Sequence, residues 1–325
     1  MLNIGASYST LSSADLLEHV VSQYYVDNPI SCEFWHRGIN DTYKVKSNTE
    51  SYTLRIYRKD WRTLPQINFE VDALNYLHDK GANISYPVKR LDNEYVTPLN
   101  TPEGLRYALV TSFAEGEELS YDDVQDAYIY GVNVADIHSL SAGFSSEHLR
   151  FELDHIHLLS EPLEYIRPFL THRPECWTFM KNFGALLLEV IKDTHHKSVD
   201  YGLCHGDFHG WNAHKHKSSN TLTFFDFDCC GYGWRAYDIA VFRWDARLEG
   251  KESERWEAFV KGYETKRKIS DLDLKLTTAF VAIRDIWLMG LHMCNAEDFG
   301  RGFLDDAYID KRIKFLKTIE EEHFA

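Results

Sequence analysis

With 325 residues, 44% of them hydrophobic and 26% charged, the chain has the balance of a folded globular protein rather than a disordered one. A formal charge of −15, from 35 Lys and Arg against 50 Asp and Glu, argues against a nucleic-acid-wrapping surface, because neutralising phosphates takes an excess of basic residues. No run of about 18 apolar residues offers a membrane span, and the first twenty residues lack the basic-then-apolar order of a secretory signal.

Residues 12–24 carry helical spacing behind a Ser/Asp start. After 27–29 the apolar period shortens to two. CEFWH, DTYKVKS and SYTLRIY then read as three strands of an antiparallel meander, with turns at 37–41 and 48–50. Residues 64–79 form an amphipathic helix with Pro65 near its start and Gly81 beyond its end. Two more strands are expected near 95–98 and 106–113. From Gly116 the character shifts through a polar, acidic connection to helical patterns at 121–139, 160–170, 175–195, 236–248, 252–268 and 271–296. One segment, 204–233, interrupts that helical half. The layout predicts an α+β chain of two lobes, with the boundary near 114–118. The N-lobe, 1–114, holds a small antiparallel sheet and one helix, and the C-lobe, 115–325, is mostly helical. The six cysteines (32, 176, 204, 229, 230, 294) are scattered with no C-x-x-C, which suits free thiols in a reducing compartment and makes the cytoplasm the expected location.

The interrupting segment carries the chemistry. His205-Gly206-Asp207-Phe208-His209-Gly210-Trp211-Asn212 contains D-x-x-x-x-N, and Asp226-Phe227-Asp228 follows the apolar strand TLTFF. Moving a phosphoryl group from ATP to a hydroxyl needs this equipment. One carboxylate orients the acceptor hydroxyl and takes its proton, an amide oxygen helps hold Mg²⁺, and a second carboxylate binds Mg²⁺ between the phosphates. The Asp-to-Asn spacing equals that of the protein-kinase catalytic loop. Here, however, the motif opens H-G-D rather than H-R-D, and Asp228 stands where D-F-G has its glycine.

H-G-D-x-H-x-x-N, an apolar strand and D-x-D together resemble the aminoglycoside phosphotransferase and choline kinase-like family, over most of the chain. That resemblance implies a bilobal protein-kinase-like fold, with ATP and Mg²⁺ as cofactors and a small-molecule hydroxyl as acceptor. By the resemblance, Asp207 matches the catalytic base, Asn212 and Asp226 are magnesium ligands, and Asp228 adds a further carboxylate to the metal. Tyr237-Asp238-Ile239-Ala240 resembles the family's Y-D-L-A, whose Asp braces the catalytic loop. In the N-lobe, Gly38 and Asn40 fall in the phosphate-covering turn (G-x-N-x-x-Y). Arg55 stands where relatives carry Lys or Arg, with Glu70 on the next helix as its partner. Arg keeps the charge, but its planar fork differs from a point-charge ammonium. The strand end at 112–114 matches the hinge, where backbone groups of Ser112 and Ala114 would hold adenine.

Each of these residues also has a plainer reading. Arg55 and Glu70 could form an ordinary surface pair of little consequence, and Gly38–Tyr43 could be only a turn. His205, His209, His214 and His216, with Cys204, Cys229 and Cys230 in range, could suggest zinc. Their spacing matches no zinc signature, and carboxylates with an amide are hard ligands suited to Mg²⁺. Trp234, Trp244 and Trp287 read as core rather than as acceptor-pocket walls. The acidic stretch Glu115, Glu117, Glu118, Asp122 and Asp123 reads as a solvated connection; facing the cleft, it would attract a cationic acceptor. Two alternatives remain for the activity: protein serine/threonine phosphorylation of the stress-response type, echoed in Tyr57-Arg58-Lys59-Asp60-Trp61, and a nucleotide-binding pseudokinase, kept open by Arg55. Neither nucleic acid nor membrane is expected as a partner.

Overall fold

The computed structural model describes residues 4–119, 123–192, 199–216, 219 and 221–324. The fold divides into two compact units. The first comprises 1–117, 143–150 and 213–228, and the second 118–142, 151–212 and 229–325. Two short segments that lie beyond the expected boundary in sequence therefore belong to the first unit.

The first unit is built on a five-stranded antiparallel sheet of order β1-β2-β3-β5-β4, with β1 at Pro29–Arg37, β2 at Asp41–Ser47, β3 at Ser51–Ile56, β4 at Val96–Thr101 and β5 at Gly104–Ser112. Period-two alternation decides its two faces. Tyr43, Val45, Tyr52, Leu54, Ile56, Ala108 and Val110 pack with Leu16, Val20, Val21 and Tyr24 from the segment before β1. On the other face, Leu109 joins Ile67 and Val71 of the Leu64–Asp79 helix. Arg55 sits opposite Leu109 in the β3–β5 register, so its side chain shares that face with the helix. Gln66 closes the start of this helix by accepting from the Thr63 N–H at 3.0 Å.

The helix expected at 12–24 is an irregular coil of turns: α at Ser13–Asp15, π at Leu16–Val20 and 3-10 at Val21–Gln23. The wide turn, which bonds Val21 N–H to the Leu16 carbonyl, lets Leu16, Val20 and Val21 all enter the same core. The two returning segments are fastened by their aromatics. Phe144 meets Phe69 and Tyr76 edge-on, while Phe224 exchanges backbone hydrogen bonds with Asn83 and Ser85.

The second unit packs around the helix Asp271–Cys294, whose residues 279–287 are all buried. Helices Val124–Leu140, Pro174–Lys192, Arg235–Leu248 and Glu252–Tyr263 correspond to expected segments. The expected 160–170 helix is regular only over Glu161–Ile166, where Pro162 starts it, and tightens to 3-10 at Arg167–Leu170 around Pro168. The long helix Asp306–His323 lies outside the segments expected above. Its Ile309, Ile313, Leu316 and Ile319 form the buried stripe. Gly131 and Gly262 let the helices Val124–Leu140 and Glu252–Tyr263 cross closely, since a Cβ at either would collide with a backbone carbonyl of the other helix. No helix among the described residues is long and apolar enough to cross a membrane.

Candidate active site

In the first unit, β3 and the Leu64–Asp79 helix bring Arg55 and Glu70 together. Arg55 Nη1 donates to Glu70 Oε1 at 2.6 Å, and Tyr57 Oη donates to Glu70 Oε2 at 2.8 Å. Glu70 is buried, and burial pushes its carboxyl up while the Arg55 guanidinium opposes that. Arg55 stays charged: burial acts against it, but Glu70 and Asp226 hold it well above its ordinary value. Its Nη2 reaches Asp226 Oδ1 at 2.9 Å. One guanidinium thus spans two carboxylates with its two terminal nitrogens, which a lysine ammonium does less well.

Asp226 has φ +63, a left-handed conformation uncommon for a residue with a side chain, at the end of the Leu222–Phe224 strand. Its carboxylate remains 49% exposed. Asp228, two residues on, is 7% exposed at the side chain. Asp228 Oδ1 accepts from Arg62 Nε at 3.1 Å, and Oδ2 accepts from Trp61 Nε1 at 2.6 Å and Asn40 Nδ2 at 3.1 Å. Its backbone carbonyl accepts from Arg62 and from Arg150. Although burial works the other way, Arg62, Arg55 and Arg150 hold the Asp228 carboxyl below the usual range.

Gly38 and Asn40 occupy the β1–β2 turn, with Gly38 N–H donating to the Asn40 carbonyl at 3.1 Å. The Asn40 side chain is turned inward. Besides its bond to Asp228, its Oδ1 accepts from the Arg58 N–H at 3.0 Å. At the end of β5, Ser112 N–H donates to the Tyr86 carbonyl at 2.9 Å, and the Ala114 carbonyl accepts from His214 Nδ1 at 2.7 Å. Those two hinge groups are therefore already engaged within the fold.

The second unit holds Asp207 and Asn212. The strand Tyr201–Cys204 pairs antiparallel with Gly231–Trp234, and the loop leaves it at His205. Asp238, at the start of the Arg235–Leu248 helix and fully buried, fixes that loop. It accepts from the His205 N–H at 2.8 Å and the Gly206 N–H at 2.7 Å, and its Oδ2 also meets His138 Nε2 at 2.9 Å. This is the bracing expected of it. Burial lowers the His138 imidazole below its ordinary value, and Tyr263 Oη on Nδ1 at 2.8 Å completes the chain. Gly206 has φ +82, and a Cβ there would strike the carbonyl of Cys229.

Asp207 Oδ1 takes Arg284 Nη2 at 2.5 Å, and Oδ2 lies 3.6 Å from His209 Nε2. Burial opposes ionisation, yet Arg284 and His209 hold the Asp207 carboxyl well below the usual range. Asn212 Nδ2 donates to the Asp207 carbonyl at 3.0 Å, which orients the amide and leaves Oδ1 as its other end. A half-exposed carboxylate (Asp226) and an oriented amide oxygen (Asn212) are hard oxygen donors of the kind Mg²⁺ takes. The histidines go to separate partners: His205 stacks on Phe208, His209 faces Asp207, His214 bonds Ala114 and His216 bonds Thr223. Trp234, Trp244 and Trp287 are buried in the core.

Sequence reasoning missed Arg284, Arg62, Arg150 and His138, and read Trp61 only as part of the 57–61 stretch. Arg284 had a signal, since Arg284-Asp285 interrupts an otherwise apolar helical run; Arg150 had none.

A family model described as "Phosphotransferase enzyme family" matches residues 32–271. The chain belongs to that family. A protein of Deinococcus radiodurans is 33% identical to it over 98% of this chain and 93% of the relative. Among solved structures, the amicoumacin kinase hAmiN in complex with AMP-PNP, Ca²⁺ and Ami is similar with a TM-score of 0.76 and 21% identity, covering 95% of this chain and 93% of that one. A microcompartment-associated aminopropanol kinase has a TM-score of 0.72 and 23% identity, covering 94% and 95%. Both likenesses concern the fold, and the protein-kinase-like, two-part α+β arrangement expected from the motifs is the one found.

Proposed function

We propose that this phosphotransferase moves the γ-phosphate of ATP, as its magnesium complex, to a hydroxyl of a small molecule, with an amino-alcohol as the favoured acceptor class. The observation that carries the reading is Arg55, which bridges Glu70 and Asp226 through one guanidinium. A surface pair would not be buried, nor would it share its cation with the carboxylate that opens D-x-D. The amino-alcohol class is supported by the similarity to an aminopropanol kinase.

Asp226 and the Oδ1 of Asn212 are the groups that would hold Mg²⁺, which supplies charge neutralisation on the phosphates. Arg55 adds fixed positive charge at the nucleotide end, and Gly38 lies in the turn that would cover the phosphates. Asp207 receives the acceptor hydroxyl on Oδ2, because Oδ1 is taken by Arg284. Held strongly ionised, Asp207 is a weak base. Its contribution is to orient the hydroxyl for in-line attack and to accept the proton late, which a loose transition state tolerates. The free thiols, five of the six buried, are in keeping with a cytoplasmic setting.

The test is Mg²⁺-dependent ATP consumption against amino-alcohols, aminoglycosides, homoserine and sugars, with the Asp207→Asn variant as control. Turnover with one acceptor, lost in the variant, is the expected result. Turnover unaffected by the substitution would sink the assignment of Asp207.

A further inference from the structure

Asp226 and Asp228 are two residues apart in a D-x-D that reads as one bidentate metal site, yet their surroundings are opposite. Asp226 is half-exposed and meets Arg55, whereas Asp228 is buried with three N–H donors on its two oxygens. An ionised carboxylate offers about four lone-pair sites. Trp61, Arg62 and Asn40 take three of these from a buried setting, and Arg62 also brings a full charge at 3.1 Å. A cation at Asp228 would have to displace these donors and break the buried ion pair with Arg62, and breaking a buried pair is costly.

We infer that Asp228 is a positioning residue and not a magnesium ligand: it ties the β1–β2 turn, through Asn40, to the strand end that presents Asp226. Asn40 is the coupling piece. Its Nδ2 holds Asp228 while its Oδ1 holds the Arg58 N–H just after β3, so its amide faces the protein rather than a phosphate. Trp61 and Arg62 complete the clamp, with the Arg62 guanidinium 3.9 Å above the Trp61 ring. Arg150 binds the Asp228 carbonyl from the returning 143–150 segment. The left-handed backbone at Asp226 needs such an anchor close by, since a residue with a Cβ holds that conformation only when its surroundings impose it. The role assigned to Asp228 rests on the phosphotransferase reading for its consequence, and on geometry for its existence.

Calorimetric titration of the intact protein with ADP, in Mg²⁺ and in EDTA, separates ligand from strut. The readout is the ratio of the two affinities. Asp226→Asn is expected to bring that ratio close to one. Asp228→Asn is expected to weaken ADP about tenfold under both conditions, as losing one charge-assisted hydrogen bond does, with the ratio kept within about twofold. A ratio that collapses in Asp228→Asn as it does in Asp226→Asn overturns the inference. Should Asp228→Asn not fold, Trp61→Phe removes a single donor while keeping the ring under Arg62, and must show the same pattern more weakly. A second measurement is independent of nucleotide. The Tm losses of Asn40→Ala and Asp228→Asn must be less than additive in the double variant, and full additivity refutes the tie. A wild-type protein that binds no ADP defeats the kinase reading alone, and the Tm cycle still decides the strut.

Discussion

The H-G-D loop at 204–212 and the D-x-D segment at 226–228 are held by opposite devices. The loop is gripped from behind by a carboxylate, Asp238, whose oxygens accept main-chain N–H groups of His205 and Gly206. The D-x-D segment is gripped by cations, with Arg62 and Arg150 on the Asp228 carbonyl and Arg62 on its side chain. The backbone of the loop is therefore fixed and its Asp207 side chain is left to Arg284, whereas in the D-x-D segment a single residue anchors both side chain and main chain. Damage to the first should abolish the fold of the loop; damage to the second should shift ligand affinity.

The sharpest way to break this contrast is Asp238→Ala. Two buried N–H groups and His138 lose their partner, which should cost about 3–5 kcal/mol and lower Tm by roughly 6–20 °C, read by calorimetry, with no transferase activity. Next comes Asp207→Asn, which keeps the shape and removes the charge. Turnover should fall about 10²–10⁴-fold while ADP affinity stays within about twofold; a matching loss of affinity would place Asp207 among the nucleotide contacts instead. Arg55→Lys tests the fork: a lysine keeps the charge but reaches Glu70 and Asp226 less well together, so the KM for ATP should rise about three- to tenfold with a smaller change in kcat. The smallest effect concerns pH. Burial lowers the His138 pKa in the fold, so the unfolded chain binds more protons as pH drops through the ordinary value of about 6.5. Stability should be fully present above that value and decline below it, and His138→Gln should flatten that part of a Tm-against-pH curve.

Much of this was legible in the sequence, for a definite reason. Strands β2 and β3 announce themselves because one face is buried and alternation must follow, and the same alternation puts Arg55 on the opposite face from Leu54 and Ile56. Asp238 could be assigned its bracing part because four consecutive residues carried the pattern. The role of Asp228 was not legible, because its partners come from residues 40, 61, 62 and 150, and no local spacing encodes a meeting of that kind. The irregular turns at 13–23 escaped likewise: the residues have helical spacing, but the core they enter selects the turn widths. The helix Asp306–His323 has a clear apolar stripe of its own, in Ile309, Ile313, Leu316 and Ile319, and its spacing is legible in the sequence.

The first unit is assembled from three stretches of chain, and its last stretch closes with Phe224 bonded to Asn83 and Ser85. During synthesis it cannot be completed when residue 117 leaves the ribosome. The 111 residues from 118 to 228 must follow, which at ~5–20 residues per second is a wait of roughly 6–22 s. Through that interval the sheet lacks the segment carrying Asp226 and Asp228, so Arg55 keeps Glu70 but has not yet met Asp226, and Arg62 has not yet met Asp228. A fragment ending at 117 should accordingly be a chaperone client rather than a free-standing nucleotide-binding module, and competence for nucleotide should arrive late in translation, after the 204–212 loop.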